Sequence, residues 1–521
     1  TAPPPLPQGE LLGMNARLGH RLREGGFPQP GETLKTRVAI VGGGVSGLAA
    51  GWKLARAGVS DFLVLELENE VGGNSRAGQR GEFAYPWGAH YLPLPPPEAR
   101  AVRELLAEIG VLQGDPTAQR PRYDERYLCA TPQERVFRHG WWEEGLLPHM
   151  GLSAAEREQQ VRFQQRMELL KHARGRDGRR VFALPMELSS RDPEWLALDR
   201  IDFRQWLLRE GFDAPTLHWL ANYACRDDFG TEHAQTSAWA GLHYFACRSG
   251  EGEGVHGDTV LTAPEGNAWL VKALAAPCGE RVRSGAMVWQ LRERGGMVEA
   301  DVWLEAEQRS ITIRAEQLIW AAPAFVLPRV WPEMPPALAA AAKVGEYAPW
   351  LVANLHLSDF PQERSGMPPA WDNVLYHGKG LGYVVATHQL IRRHLRGTVL
   401  TYYLPLSDLP PAEARRRLLE TPRELWAEQI LQELSVPHPD IRRLTTRIDV
   451  FRYGHAMRRP VPGSLWGGER ERLAAAHPGR ITLAHADLSG FSIFEEAQYR
   501  GLLAAERVLR RLAVPFASSL V

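Results

Sequence analysis

Residues 36–58 read TRVAIVGGGVSGLAAGWKLARAG, and this stretch decides the fold. Its first part, Arg37 to Val41, is a short run of mostly small and β-branched residues, which predicts a buried parallel strand. Three glycines follow in the spacing G-x-G-x-x-G: Gly42, Gly44 and Gly47. Apolar residues then recur at helical spacing up to Gly58, a residue type that commonly follows the last turn of a helix. A second apolar run, DFLVLE, ends at Glu66, so the sequence predicts a βαβ unit.

The spacing of these glycines has a chemical reason. Gly42 permits a tight turn, Gly44 lets the backbone approach a pyrophosphate, and Gly47 lets the helix pack closely on the strand. The first turn of the helix offers unpaired N–H groups to phosphate oxygens. Glu66, 24 residues after Gly42, would accept hydrogen bonds from ribose hydroxyls. The unit therefore predicts a dinucleotide-binding site. These residues alone do not distinguish NAD from FAD as the ligand. The alternative interpretation is a glycine-rich turn that binds no ligand.

Composition narrows the class of protein. The chain has 521 residues, is 44% hydrophobic and 23% charged, and carries no formal net charge, which is typical of a globular protein of several structural units. Without a long basic block, no nucleic acid partner is expected. No apolar run is long enough for a transmembrane helix. The four cysteines form no CxxC pair, so no metal site is expected. The sequence opens with TAPPPLP, which does not decide the cellular location of a soluble protein. An exported or periplasmic location and a cytoplasmic location are both compatible with it.

The stretch after Glu66, LELENEVGGNSRAG, resembles the superfamily of flavin amine oxidases and phytoene desaturases. In that superfamily a ribose-binding Glu is followed by a Gly-Gly pair and an Arg. Here Gly72 and Gly73 are followed by Asn-Ser before Arg76, an order closer to the desaturase-like branch. The resemblance implies that FAD is the cofactor, and that the glycine pair and Arg76 lie beside the flavin pyrophosphate or ring.

Further blocks resemble the same superfamily in the same order. The next flavin-proximal turn of the superfamily resembles FAYPWGAHYL, and its turn and helix before a β-meander resemble APEGNAWLVKALA. A strand that returns to the cofactor resembles EQLIWAAPAFVL, and the last cofactor block resembles RITLAHADLSGFSIFEEAQ. The resemblance implies the cofactor-binding residues Gly42, Gly44, Gly47, Glu66, Gly72, Gly73, Arg76, Gly88, Ala89, His90, Val288, Ala322, Asp487 and Ser492. Ser492 and Glu495 also have the spacing of a helix capping box, and the alternative places Glu495 near the flavin edge.

The resemblance implies an α/β fold with a discontinuous, Rossmann-type FAD-binding domain. The expected segments of that domain are 31–95, 255–330 and 450–521, preceded by an N-terminal arm at 1–30. Two insertions, 96–254 and 331–449, are expected to build an α+β substrate domain, with the substrate site between the two domains and over the flavin.

The resemblance also implies hydride transfer from a substrate C–H bond to flavin N5. In the amine oxidases of the superfamily a lysine usually lies near N5, and the segment EYAPWLVANLHLSDF places Val352 at that position. A cation there assists the reaction of reduced flavin with O2, so its loss favours a quinone or a protein carrier as electron acceptor.

The segment FRYGHAMRRPVPG, before the last cofactor block, supplies the candidates for the substrate site. Tyr453 and His455 are the catalytic candidates, and Met457 and Arg458 are expected to line the substrate. The opposite wall is assigned to Tyr376, Tyr383 and Tyr402. A role in core packing is the alternative for all of these aromatic residues and for His455.

Three functions follow from the resemblance. The favoured function is amine dehydrogenation or oxidation of a small molecule, the second is a carotenoid-type C–C desaturase or isomerase for an apolar substrate, and the third is a flavoprotein without catalysis. An amine site predicts a closed pocket with an acid or an aromatic pair, a desaturase predicts an apolar tunnel, and a protein without catalysis predicts no polar groups over N5.

Overall fold

The computed structural model describes residues 5–390 and 394–520. The strands of the described residues are β1 (Leu11–Gly13), β2 (Thr33–Val41), β3 (Phe62–Leu65), β4 (Ala77–Arg80), β5 (Phe83–Pro86), β6 (Leu92–Pro93), β7 (Leu112–Gln113), β8 (Arg122–Tyr123), β9 (Glu134–Arg138), β10 (Trp141–Glu144), β11 (Val260–Leu261), β12 (Val282–Arg283), β13 (Ala286–Arg294), β14 (Met297–Leu304), β15 (Arg309–Trp320), β16 (Tyr347–Leu357), β17 (Asp372–Leu375), β18 (Tyr383–Val385), β19 (Thr398–Pro405), β20 (Thr445–Arg458) and β21 (Ile481–Leu483).

The α-helices of the described residues are α1 (Ala16–Glu24), α2 (Val45–Arg56), α3 (Arg100–Glu108), α4 (Ala154–His172), α5 (Pro193–Leu196), α6 (Phe203–Arg209), α7 (Pro215–Phe229), α8 (Ala238–Ala246), α9 (Ala268–Ala275), α10 (Leu327–Val330), α11 (Pro336–Lys343), α12 (Pro411–Glu420), α13 (Arg423–Ser435), α14 (Ile441–Leu444), α15 (Glu469–Ala474) and α16 (Phe494–Arg511). Within the described ranges, none of these helices is both long and apolar enough to span a membrane.

The predicted βαβ unit is the centre of the first sheet. Strand β2 pairs in parallel with β3 and with β15, and α2 connects β2 to β3. The sheet has seven strands in the order β12-β3-β2-β15-β14-β13, with β21 paired to the end of β15. Strands β13, β14 and β15 form the predicted antiparallel meander. Because the carboxyl ends of the parallel strands meet at one edge, that edge is the expected place for the cofactor.

The second sheet draws its strands from widely separated parts of the chain. Its eight strands run in the order β1-β20-β16-β19-β18-β17-β9-β10. One face packs on the helices α12 to α14 through a core that contains Leu418, Trp426 and Ile430. The other face carries Trp350, Val352 and other apolar side chains into a second core, which also contains Tyr85 of β5 and Tyr223 of α7. The expected boundary at residue 450 falls inside β20, which the pairing assigns to this sheet rather than to the cofactor sheet.

The helices α4 to α8 of the first insertion form a separate layer beside both sheets. Their shared core includes Phe163, Leu217 and Trp239. Helix α7 matters for function because its last turn, at Asp227 and Asp228, reaches the space between the two sheets.

Candidate functional site

The glycine loop at the start of α2 has the shape that a pyrophosphate needs. Gly42 has φ +108°, and a Cβ there would lie 2.7 Å from the carbonyl oxygen of Ala321. A Cβ on Gly47 would lie 1.7 Å from the carbonyl oxygen of Gly42, so both positions require glycine. Gly44 differs, because a Cβ there meets nothing within 4 Å. No side chain caps α2, so the N–H groups of its first turn stay available to an anion.

Glu66 lies beside this loop, as the βαβ unit predicts. Its Oε2 accepts a hydrogen bond of 2.7 Å from the Gly43 backbone N–H, and its Oε1 accepts one of 2.9 Å from the backbone of Glu68. Burial raises the pKa of the Glu66 carboxyl, while these two donors oppose that rise. The Gly72 N–H donates to the carbonyl oxygen of Gly43 at 2.9 Å. Two glycine motifs far apart in the sequence therefore meet at one place.

The last cofactor block returns to the same edge of the sheet. The backbone N–H of His485 donates to Ser46 Oγ on α2 at 2.9 Å. Asp487 is fully buried, and its Oδ2 accepts from the Ala324 N–H at 2.8 Å and from the Tyr347 hydroxyl at 2.5 Å. Burial raises the pKa of the Asp487 carboxyl, but the electrostatic effect and the hydrogen bond of the neighbouring His485 outweigh burial and hold this pKa below its ordinary value. The predicted cofactor contacts, including those of Arg76, Val288 and Ala322, stay predictions.

The predicted turn at Gly88 is held in place from three sides. A Cβ on Gly88 would lie 2.0 Å from the carbonyl oxygen of Asn74, and the Ala89 N–H donates to that oxygen at 2.8 Å. The Tyr403 hydroxyl donates to the carbonyl oxygen of Gly88 at 2.7 Å. His90 stacks on the Tyr403 ring with centroids 4.4 Å apart, and burial lowers the pKa of His90 to about 4, so His90 is neutral.

A cavity of about 140 Å³, the inner cavity, lies between this turn and the second sheet. One wall consists of aromatic and apolar side chains on adjacent strands: Trp350, Val352, Tyr403 and Tyr453. The opposite side consists of the turn at Gly88 and residues of the last block: Asn74, Ala89, Ala456, Met457, Ser492, Ile493 and Phe494. Tyr453, Met457 and Val352 thus line the same cavity, while the substrate-site role expected for Tyr453 and Met457 stays a prediction.

The other predicted wall residues lie elsewhere. The Tyr402 hydroxyl donates to Glu433 Oε2 at 2.6 Å on the far face of the sheet. Tyr383 is buried in the same far-side core. Tyr376 stacks on Trp219 with centroids 4.8 Å apart, outside the inner cavity. Successive side chains on a strand point to opposite faces, so the wall falls to Tyr403 instead of Tyr402.

His455 and Arg458 also lie outside the inner cavity. His455 is exposed and stacks on Phe325 with ring centroids 5.1 Å apart. Arg458 is buried, and its Nη2 donates to the carbonyl oxygen of Val344 at 3.1 Å. These positions give neither residue contact with a substrate in this cavity, so the catalytic role expected for His455 is not carried forward.

The capping-box interpretation of Ser492 and Glu495 is wrong. Helix α16 begins at Phe494, its N-cap residue is Ile493, and no side chain caps it. Ser492 Oγ instead accepts from the backbone N–H of Arg458 at 3.1 Å. Glu495, 7% exposed, lines the inner cavity, and a hydrogen bond from its own backbone N–H opposes the rise in the pKa of its carboxyl. The alternative position of Glu495, near the flavin edge, stays a prediction.

Two further carboxyls face the inner cavity, and sequence reasoning missed both. The Tyr91 hydroxyl lies 3.0 Å from Asp227 Oδ2 and 3.3 Å from Asp228 Oδ1. Arg248 donates through Nη2 to the Tyr91 hydroxyl at 2.8 Å and to Asp228 Oδ1 at 3.3 Å. The inner cavity therefore brings together three carboxyls and one guanidinium, with Tyr91 between them.

Burial and mutual repulsion make these carboxyls weak acids. Burial and then the charge of Asp228 raise the pKa of Asp227 to about 7. The same two causes raise the pKa of Glu495 to about 8. These three carboxyls therefore carry less than their full negative charge near neutral pH. A bound cation would favour their ionised form, and the ionised carboxylates would in turn stabilise the cation.

Comparisons with known proteins give local matches in sequence. Residues 40–109 match the model of a family described as an NAD(P)-binding Rossmann-like domain. Protoporphyrinogen oxidase 2 of Arabidopsis thaliana is 37% identical over 89 residues, 17% of this chain and 17% of that protein. Polyamine oxidase 7 of Oryza sativa subsp. japonica is 39% identical over 59 residues, 11% of this chain and 12% of that protein. The chain thus spans less than a fifth of the length of these curated relatives.

Solved structures match over nearly the whole chain. A double mutant of putrescine oxidase, from a redesign of its cofactor binding, gives a TM-score of 0.65 at 15% identity and covers 92% of this chain and 100% of its own. Cyclohexylamine oxidase from Brevibacterium oxydans IH-35A gives 0.64 at 14% identity, over 92% of this chain and 99% of its own. A fatty acid isomerase from P. acnes gives 0.63 at 15% identity, over 91% and 98%. The predicted fold class is confirmed: the chain has the α/β fold of these solved structures, with a Rossmann-like dinucleotide-binding unit near its N-terminus.

Proposed function

We propose that the chain is an FAD-dependent oxidoreductase that dehydrogenates an amine. The observation that carries this proposal is the group of Asp227, Asp228 and Glu495 in a cavity beside the turn at Gly88. Carboxyls in a partly open, aromatic-walled cavity suit a cationic substrate, because an ammonium offsets their charge and satisfies their oxygens.

The dinucleotide site fits FAD. The open space beside Gly44 admits a pyrophosphate, and the Glu66 carboxylate keeps two of its four acceptor positions for ribose hydroxyls. The adjoining Gly72–Gly73 turn and the contact of His485, in the last block, with Ser46 on α2 favour FAD over a nicotinamide dinucleotide, since these blocks follow the flavin pattern. FAD, when bound, would supply acceptance of a hydride from the carbon next to the amine nitrogen.

The chain's own residues would bind the amine and take its proton. An ammonium enters as the charged form and would be held by Asp228, whose carboxylate also contacts Arg248. Its nitrogen must lose a proton before the neighbouring C–H bond becomes a good hydride donor. Glu495 or Asp227 would accept that proton at a carboxylate oxygen, because carboxyls with a pKa of about 7 or 8 exchange protons readily near neutral pH.

Trp350 and Tyr403 would form the walls around the reacting carbon. Both are almost fully buried and meet at right angles, with ring centroids 6.5 Å apart. Aromatic faces attract cations and exclude water, which strengthens the electrostatic interaction of the ammonium with the carboxyls.

A desaturase or isomerase for an apolar substrate is the second candidate. The fatty acid isomerase and the protoporphyrinogen oxidase among the similar proteins favour it, as does the apolar Val352. An apolar substrate would, however, bring no positive charge to a cavity in which three carboxyls share one guanidinium, Arg248, and burying an uncompensated carboxylate is costly. The polar groups of the cavity equally disfavour a flavoprotein without catalysis.

The test is to add candidate substrates to the purified holoprotein without oxygen. Reduction of the flavin is measured as the loss of its absorbance. Amines are expected to bleach the flavin, while unsaturated fatty acids and porphyrinogens leave it oxidised. Asp228→Asn should slow bleaching at least about tenfold with normal FAD content, since one charged partner of the ammonium is lost. The exposed Glu253→Gln serves as the control. Bleaching by an apolar alkene and by no amine would overturn the proposal, as would a colourless protein that binds NAD instead of FAD.

A further inference from the structure

Residues 14–27, the strap, lead from β1 to β2 and pack on the first sheet. Most of the strap is the helix α1, and of the nine described residues of that helix only Leu18 is buried. Leu18 packs in one cluster with Met287 of the meander and with Leu67, the residue that follows Glu66. The strap therefore covers the part of the chain that carries the predicted ribose-binding acid. Nothing in the proposed dehydrogenation of an amine uses it.

The start of the strap contacts two residues beside the predicted cofactor site. The Asn15 N–H donates to Glu68 Oε1 at 2.8 Å, and the Glu68 N–H donates to Glu66 Oε1 at 2.9 Å. Arg76 Nη2 lies 2.7 Å from Met14 Sδ. Arg76 is 6% exposed, and its Nε has no hydrogen-bond partner in the described part of the chain. A buried guanidinium N–H without a partner suits an oxygen of a cofactor, so the strap begins beside a group that is available to FAD.

The end of the strap stacks on a residue next to another predicted cofactor contact, Val288. The rings of Phe27 and Trp289 are nearly parallel, with centroids 5.0 Å apart. The pairing of β13 with β14 shifts its register between Val288 and Gln290, so Trp289 is the extra residue of a bulge. A bulge redirects a side chain, and here the redirected ring meets the strap. The strap thus extends across the predicted site from Arg76 to the neighbour of Val288.

The strap is attached in a way that allows it to open without unfolding either sheet. Gly25 and Gly26, just after α1, have φ of +71° and +77°, and a Cβ at either would meet nothing within 4 Å. Glycine therefore serves the backbone at this point, and the pair can act as a hinge. The ion pair of Arg17 with Glu305 adds little, because Arg17 is 80% exposed. Since a nine-residue helix is marginal on its own, opening should cost far less free energy than global unfolding.

We propose that the strap closes over FAD once the cofactor is bound, and that its opening sets the rate at which FAD is released. This inference goes beyond the proposed function, because it rests on FAD as the cofactor and not on the identity of the substrate. FAD would enter and leave while the strap is open. Because binding and closure are linked, bound FAD should in turn hold the strap closed.

The first test measures FAD release from the holoprotein after dilution, as the rise in flavin fluorescence. Phe27→Ala should raise the release rate about tenfold or more, because the loss of a stacked aromatic pair and of its buried area favours the open strap. Met14→Ala, which removes the side chain beside Arg76, should raise the rate by a smaller factor. Phe516→Ala is the matched control: Phe516 is also half-buried in a terminal segment and contacts a cation, Lys53, but lies outside the strap. This variant should release FAD at the rate of the wild type.

The second test uses the wild type alone, so it does not depend on the folding of a variant. Trypsin cleaves after arginine, and the strap contains Arg17, Arg21 and Arg23. Removal of FAD should speed cleavage at these residues about fivefold or more, and adding FAD back should restore protection. Cleavage at Arg364, exposed in a loop of the second insertion, should not change and serves as the control. Mass spectrometry of the fragments assigns each cut.

The strap would be rejected by equal FAD release from Phe27→Ala and the wild type, or by an equal increase in Phe27→Ala and Phe516→Ala. It would also be rejected if cleavage in the strap does not respond to FAD. A yellow holoprotein that no amine reduces would refute the proposed amine dehydrogenation alone, and both tests of the strap would still decide.

Discussion

Glu495→Gln should stabilise the protein, and the gain should grow with pH. The pKa of the Glu495 carboxyl is raised from its ordinary 4.5 to about 8, by burial and then by Asp228. Ionisation of this group therefore opposes folding. The penalty is absent below pH 4.5, grows as the pH rises to about 8, and is constant above that value. Glutamine keeps the shape of the side chain and cannot ionise, so the variant escapes the penalty.

The size of the effect follows from the two pKa values. The difference between 4.5 and about 8 corresponds to about 5 kcal/mol in the free energy of unfolding at about pH 9, and to less than about 1 kcal/mol at about pH 5. Glu495 is only 7% exposed, so solvent screening removes little of this energy. With an unfolding entropy of about 2.1 cal/mol/K per residue, the chain of 521 residues should gain about 4 °C in Tm at the higher pH.

The neighbouring residue supplies a matched control. Glu496 is also fully buried, but it accepts from the Met186 N–H at 2.6 Å and from the Ser489 hydroxyl at 2.7 Å. Glu496→Gln disturbs these bonds, so it should lower the stability by about 1–3 kcal/mol at about pH 5. Because burial also raises the pKa of the Glu496 carboxyl, the variant should recover part of that loss at about pH 9. Thermal unfolding of both variants and the wild type at the two pH values is the assay. A Glu495→Gln variant that is no more stable than the wild type at about pH 9, or whose gain is equal at both pH values, would refute the reasoning.

Three further predictions concern the cofactor and the cavity. Glu66→Ala should weaken FAD retention by about 1.5–3 kcal/mol, measured as the FAD dissociation constant, because a charged acceptor of the ribose hydroxyls is lost. Tyr403→Phe should slow flavin reduction, because the hydroxyl that fixes the turn at Gly88 is removed, whereas Tyr402→Phe should change only thermal stability. Val352→Lys should speed reoxidation of the reduced flavin by O2 in stopped-flow mixing, since the wild type lacks a cation at that position and is expected to react slowly.

Each of these has an outcome that would contradict it. Unchanged FAD affinity in Glu66→Ala would remove the proposed role of that carboxylate. Equal rates of flavin reduction in the variants of Tyr402 and Tyr403 would mean that the inner cavity is not the site of reaction. Wild-type reoxidation much faster than that of free reduced flavin would show that another cation serves the flavin, and the argument from Val352 would fail.

The cofactor domain was predictable because its signals are local. The glycines from Gly42 to Gly47 and the acid at Glu66 lie within one supersecondary unit, and steric demands at Gly42 and Gly47 leave no other residue type possible. The resemblance to the superfamily then identified cofactor blocks that are far apart in the sequence. The hydrogen bond between the Gly72 N–H and the Gly43 carbonyl oxygen brings two of these blocks together.

The substrate cavity was less predictable because its residues depend on tertiary register. Tyr402 and Tyr403 are adjacent and equally plausible in the sequence, and only the pairing of β19 with β16 decides which one faces Val352. Asp227 and Asp228 lie at the end of a helix in an insertion with no motif of its own. Their signal in the sequence was two consecutive acids after an apolar turn, which is more often a solvated helix end, so only the packing of α7 reveals their role.

The parallel pairing of β1 with β20 has a consequence for synthesis on the ribosome. Leu11 lies opposite Val450, and the Glu10 N–H donates to Asp449 across 439 positions of the chain. At about 5–20 residues per second, β1 leaves the ribosome at least about 20 s before its partner strand exists. Throughout that time the first strand has exposed backbone donors and acceptors without a native partner. The second sheet can therefore close only late in translation, and nascent chains that end before β20 should be more sensitive to protease near β1 than the finished protein.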